Sequence, residues 1–438
     1  MKSIPVYLLI LTVLLSACGG PAAAPEAVPE TVIETVEIEV PVTLTPAPEE
    51  PATVSFWHTY SENSPEVSML IDTLIPMFEE QNPDITVEAL SVPYDDFRSK
   101  LITSIAGGIA PDLARVDIIW VPELAEMGAL AALDTEMADF DDYRAAVFPG
   151  PLSTTYWQGH YYGLPMTTNT KVWFYNQDLY TQAGLDGPPA TIDELPAMCD
   201  SLKDLDEELY LFAADGTFAW VMLPWIWSFG GAVTDPEVTQ ASGYLNSPET
   251  VAAYEFWLEM MNRDCFAPVV LGSGIDPYTG FAQGQYASID NGPWSFPILQ
   301  GQYPDMELFT APFPAGDGGS INVVGGEDII LFEQSPNKEA ATAFLRFVLS
   351  SEYQLKMAEV GQLPVRPDLI GSDYIQGHPY YAVFLEQLET SQARTAHPDW
   401  QAMDEIITTA GQLILRGESS PQDALDAAAA EIDALLAP

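Results

Sequence analysis

Between Thr53 and Met127 short apolar runs alternate with helical stripes, and this alternation restricts the possible folds more than any other feature of the chain. Thr53-Val54-Ser55-Phe56-Trp57-His58 reads as a strand. Val67, Leu70, Ile71, Leu74, Ile75 and Phe78 then recur at the spacing of one helix face. Pro76 is expected to kink the last turn of that helix, since proline lacks the amide donor. A strand over Ile85–Leu90, a helix through Phe97, Leu101 and Ile105, a strand from Leu113 to Val116 and a helix from Pro122 to Met127 complete the stretch. Strands and helices alternating at this spacing specify βαβ units and a parallel sheet, hence an α/β fold. In such sheets ligands bind beyond the carboxyl ends of the strands. That rule singles out Trp57, His58 and the segment from Asp117 to Trp120.

The C-terminal third reads as helical, with Phe344, Leu345 and Val348 on one helix. Ser420-Pro421-Gln422-Asp423 supplies an N-cap, a proline at the first helical position and an acid in the first turn. The stripe Leu425, Ala428, Ile432 and Leu435 should pack that last helix on the body. The 438 residues suit two or three domains, and 47% hydrophobic content with 10 Trp, 19 Tyr and 19 Phe can fill their cores.

The N-terminus has a different character. Lys2, an apolar run from Ile4 to Leu15 and the small residues before Cys18 form a secretory signal over residues 1–17. The run falls short of the roughly 20 residues a bilayer span needs. Leu15-Ser16-Ala17-Cys18 resembles a bacterial lipobox, in which the thiol takes a lipid, so the chain is expected to be anchored to the outer face of the cell membrane by Cys18. Residues 18–52, rich in Pro and Glu and without an aromatic residue, read as a flexible tether able to reach roughly 100 Å. Cys199 and Cys265 are then an even pair in an oxidising compartment. A disulfide between them is favoured over two buried free thiols.

Charge excludes whole classes of function. With 64 Asp+Glu against 14 Lys+Arg, a net of −50, the surface repels nucleic acid. The four histidines, at 58, 160, 378 and 397, include no pair four residues apart, and no zinc-hydrolase motif occurs. Nucleophile-elbow and glycine-rich phosphate motifs are absent as well, so no cofactor or metal is expected. Aromatic residues instead cluster beside Gly, Pro, Asn and Asp: Trp57-His58-Thr59-Tyr60, Trp120-Val121-Pro122, Trp225 to Gly231 with Trp227 inside it, and Asn291-Gly292-Pro293-Trp294. Read as loop aromatics, these clusters point to a carbohydrate site, because flat rings stack on the C–H faces of sugars and neighbouring amides and carboxylates bond hydroxyls.

Phe56-Trp57-His58, Phe78 to Pro83, Ala110-Pro111-Asp112, Tyr161 to Pro165, Phe174 to Leu179, Pro188 to Leu195, Phe281 to Gln285, Asn291 to Trp294, Gly325-Gly326-Glu327 and Leu363 to Arg366 follow a familiar order. Over roughly Val54 to Ala434 they resemble the extracellular solute-binding proteins of ABC sugar importers, family 1, the maltose-binding-protein-like group. The resemblance implies a two-lobed type II periplasmic-binding-protein fold, each lobe a mainly parallel sheet flanked by helices, with a ligand cleft between lobes. The lobes are expected at 53–162 with 288–332 and at 163–287 with 333–438. It also implies a monomer that delivers a mono- or oligosaccharide to permease subunits and catalyses nothing. A secreted glycoside hydrolase and a sensor or adhesion lipoprotein are the rivals. Trp57, His58, Trp120, Asn169, Asp215, Trp294, Glu327, Arg366 and Trp400 fall where family members contact sugar, Asn169 in place of an acid. Tyr60, Asp117, Trp227, Asn291 and Gly326 join them from the aromatic clusters, the strand ends and the glycine pair.

Overall fold

The computed structural model describes residues 51–62, 64–378 and 380–437, so the signal, Cys18 and nearly all of the tether lie outside the described residues. Its strands in chain order are β1 (Ala52–His58), β2 (Ile85–Ser91), β3 (Leu113–Asp117), β4 (Tyr156–Trp157), β5 (His160–Tyr161), β6 (Gly163–Asn169), β7 (Val172–Tyr175), β8 (Ser288–Asn291), β9 (Phe309–Ala311), β10 (Val323–Leu331) and β11 (Gln392–Ala393). β1 pairs in parallel with β2 and β3, as the alternation requires. Val54, Phe56 and His58 alternate into the core along β1. β3 is buried at every position, as befits a strand covered on both faces. β10 runs antiparallel to both β3 and β6 and closes the first sheet.

Pro76 acts one turn earlier than expected. The helix from Pro65 to Gln81 widens into a π turn over Leu70–Leu74, where the Ile75 amide reaches back to the Leu70 carbonyl. Proline cannot donate to the carbonyl four residues before it and its ring pushes that carbonyl away, so the ladder yields on the N-terminal side.

The second sheet holds β8, β7 and β9, all antiparallel. Among the described residues, parallel pairing in this lobe consists of isolated bridges such as Phe212 with Phe266 and Ala213 with Ile289. Several stretches therefore sit with the other sheet from the one expected: β6 joins the first sheet through β10, and β9 joins the second through β7. Residues 288–291 belong with the second sheet, because Ile289 opposes Phe174 and both sink into its core. The helix Lys338–Val348 belongs with the first, because Phe344 packs its edge on Phe56 and Phe78, with centroids 5.4 and 5.1 Å away. The chain crosses between lobes at Thr170–Lys171, between β9 and β10, and near Leu363, which bridges to Thr168. Strand register decides these crossings, and the order of segments along the chain does not display it.

The C-terminal helices follow their sequence signals. Ser420 caps the helix Pro421–Leu436 by accepting from the Asp423 amide, and Leu425, Ala428 and Ile432 are buried. A disulfide joins Cys199 on the helix Leu195–Leu205 to Cys265, with Cα atoms 5.6 Å apart. Among the described residues no helix is long and apolar enough to cross a membrane.

Candidate ligand-binding cleft

A cavity of about 720 Å³ opens where the ends of β3, β6 and β10 meet the helices of the second lobe. β1 delivers Thr59 and Tyr60 at its exit, β3 delivers Asp117, β6 ends on Asn169, and β10 contributes Gly325, Gly326 and Glu327. The facing wall comes from Trp220 on the helix Ala219–Ser228, Trp294 at the N-cap of Ser295–Gln302, and Gln401, Asp404 and Thr408 on Trp400–Leu415. Trp220 and Trp294 lie 6.5 Å apart between centroids, tilted by 29°. A smaller cavity of about 220 Å³ adjoins, sharing Asp215, Phe218, Trp220 and Trp294 as a common wall.

Glycine at 325 makes this corner possible. A Cβ there would stand 2.3 Å from Asn169 Oδ1 and 2.5 Å from the Trp220 ring. At Gly326 the backbone φ of +135° and the Thr167 carbonyl, 2.4 Å from a would-be Cβ, also exclude a side chain.

Both cationic side chains of the cavity are engaged by carboxylates. Arg115 pairs with Glu327 at 2.7 Å, donates to Thr59 Oγ1 and lies over the Tyr60 ring at 3.9 Å. Arg394 pairs with Asp117 at 2.7 Å, while the Tyr94 hydroxyl and the Ile119 amide donate to the same carboxylate. Burial pushes the Tyr60 phenol up to about 12, Arg115 opposing it. Burial also raises Asp404, against the Ala219 amide that donates to it and the nearby Arg394. Asn169 Oδ1 and the Tyr60 hydroxyl are buried with no partner among the described residues. Among those residues no group of His, Cys, Asp or Glu is arranged to hold a metal ion.

Of the residues singled out in the sequence, Tyr60, Asp117, Asn169, Asp215, Trp294, Gly326 and Glu327 come together around the larger cavity, and Asn291 lines the smaller one. Six do not. His58 faces the core side of β1 at 1% exposure, where burial and then Arg115 pull its pKa down to about 4. Trp57 points the other way, under the Lys100 ammonium. Trp120 is buried against Phe97, stacked at 5.8 Å. Trp227 is buried on a helix; residues 219–228 are apolar all round and form a core helix, whereas the neighbouring glycines suggest a loop. Trp400 is fully packed in the second lobe's core. Arg366 forks onto Asp368 and the Leu349 carbonyl away from the cavity.

Arg115, Trp220, Arg394 and Asp404 went unforeseen. Arg115 carries a readable signal, since a base inside the apolar run Leu113–Val116 of a base-poor chain needs a buried partner. Arg394 has none, because its partner arrives only by tertiary folding.

The model for bacterial extracellular solute-binding proteins matches residues 62–355. A protein of Brucella abortus named only as a binding protein is 28% identical over 384 residues, covering 86% of this chain and 92% of that one. The arabinooligosaccharide-binding protein of Bacillus subtilis is 25% identical over 399 residues, covering 82% and 88%. Among solved structures, a solute-binding protein from Thermotoga lettingae bound with α-D-tagatose superposes with a TM-score of 0.77 at 26% identity, over 88% of this chain and 100% of that one.

Proposed function

The chain belongs to the bacterial extracellular solute-binding proteins, and on that basis we propose that it is a lipid-anchored receptor that captures a carbohydrate outside the cytoplasm and passes it to an ABC permease. It is a binding protein and not an enzyme, as its family and relatives are, which leaves the hydrolase reading without support. The paired faces of Trp220 and Trp294 on the cleft wall carry the carbohydrate reading. A pyranose or furanose ring offers C–H faces to such indoles, and Asn169, Asp215 and Glu327 beside them can bond its hydroxyls. Relatives that bind arabinooligosaccharides and tagatose point the same way.

Lobe motion about the three crossings supplies the mechanism. A ligand held by both walls favours the closed arrangement by its differential affinity, and the permease reads that shape. Lipid on Cys18 and the tether behind it would keep the receptor near its transporter.

Calorimetry over mono- and oligosaccharides tests the reading directly. Binding of a carbohydrate, with a smaller radius of gyration in scattering, is the expected result; binding of another solute class with no carbohydrate bound would sink it. Lipid labelling of the wild type that disappears in Cys18→Ser tests the anchor.

A further inference from the structure

Resting on the carbohydrate reading, we infer that the cleft selects by charge and takes a sugar or polyol bearing a protonated amine. Seven carboxylates and two guanidiniums line the larger cavity. Both guanidiniums are committed: Arg115 to Glu327 and Arg394 to Asp117, each at 2.7 Å, with side chains only 5% and 6% exposed. Lys171, which lines the adjoining cavity 5.5 Å from the Trp220 ring centroid, is held by Asp290 at 2.6 Å. Glu66, Asp95, Asp215, Asp404 and Glu405 form no ion pair among the described residues, although Arg394 lies near Asp404.

Acidity alone says little in a chain of net −50. The second observation is the buried, unpartnered acceptor Asn169 Oδ1 on the cavity wall, at 6% residue exposure. It sits over Gly325 beside Trp220, and the Ala219 amide next to Trp220 holds Asp404 in the same corner. Acceptors and an indole thus converge where the two nearby cations are already neutralised. An ammonium is donor-only, with three N–H groups, and is drawn to indole faces and carboxylates alike. A phosphate or uronate entering the same space meets five carboxylates outside any ion pair, while both bases of the lining are already paired.

Calorimetry on the full chain distinguishes the possibilities, using gluco and galacto sugars each as the neutral sugar, the 2-amino sugar and the uronic acid. The 2-amino form should bind about tenfold or more tighter than its neutral counterpart, lose that advantage in high salt, and lose part of it in Asp404→Asn and in Asp215→Asn. The uronic acid should not bind. Equal affinity for amine and neutral forms would mean that the carboxylates only accept from hydroxyls, which overturns the charge selectivity and leaves the carbohydrate reading standing. Uronate binding would do the same. Failure of all six to bind would overturn the amine selectivity, and failure of the wider mono- and oligosaccharide screen, with another solute class bound, would overturn the carbohydrate reading as well.

Discussion

Arg394 donates to Asp117 Oδ1 at 2.7 Å across a separation of 277 residues, with side chains 6% and 11% exposed. The pair ties the carboxyl end of β3 to the segment that follows β11, so one wall of the cleft is held to the stretch leading into the helix Trp400–Leu415. Removing one partner leaves the other charge buried. Arg394→Met should therefore cost about 3 kcal/mol or more in denaturant unfolding. Adding Asp117→Leu should recover part of that loss, since the double variant strands no charge. A double-variant cost equal to the sum of the singles would show that the two side chains are not coupled.

Trp294 and Trp400 are both tryptophans singled out in the sequence, yet they should fail in opposite ways. Trp294→Ala opens the cleft wall and should lower carbohydrate affinity about 10- to 100-fold with little change in Tm. Trp400→Ala empties a packed core site and should cost about 3–5 kcal/mol of stability. Calorimetry and thermal unfolding on the two variants separate these outcomes; full affinity in Trp294→Ala would remove the stacking role.

His58 links stability to pH. Its folded pKa of about 4 lies below the ordinary 6.5 because burial, and then Arg115, disfavour the imidazolium. The unfolded chain therefore takes up a proton first as pH falls. The contribution is complete above pH 6.5 and drains away between there and about pH 4, a loss of about 3 kcal/mol. His58→Gln should lose this dependence, so the stability gap between wild type and variant should narrow from about pH 7.5 to about pH 4.5. A gap that does not vary with pH would refute it.

Gly325→Ala should disturb the ligand corner more than the fold. The added methyl must displace Asn169 or Trp220, with which it would collide at 2.3 and 2.5 Å. Carbohydrate affinity is expected to fall at least about tenfold, with the indole fluorescence of the variant altered. Unchanged affinity would show that Asn169 and Trp220 yield without consequence for the ligand.

The Cys199–Cys265 disulfide closes a loop with a sequence separation of 66, worth about 4 kcal/mol in the chain-entropy account. Thermal unfolding with and without reductant, and of Cys199→Ala/Cys265→Ala, should show that loss. A reductant-insensitive Tm in the wild type alone would contradict the bridge.

The chain's own order determined what short-range physics can write. Period-two and helical stripes from Thr53 to Met127 specified the βαβ units, and Ser420 with Pro421 marked the last helix start to the residue. Trp294, beside its Gly and Pro, was legible as a loop aromatic, and it lines the cavity. Tertiary structure decided the rest. Glycines after Trp227 suggested a loop, but burial on every side makes 219–228 a helix and leaves Trp220 as the residue that reaches the ligand wall. Alternation along β1 turned His58 into the core, because a shift of one position reverses which face a strand residue occupies. Arg394 and Asp117 carry no mutual signal at all. Local periodicity extends over a few turns, while their meeting depends on the register of β10 against β3 and β11, a property of the packed sheet.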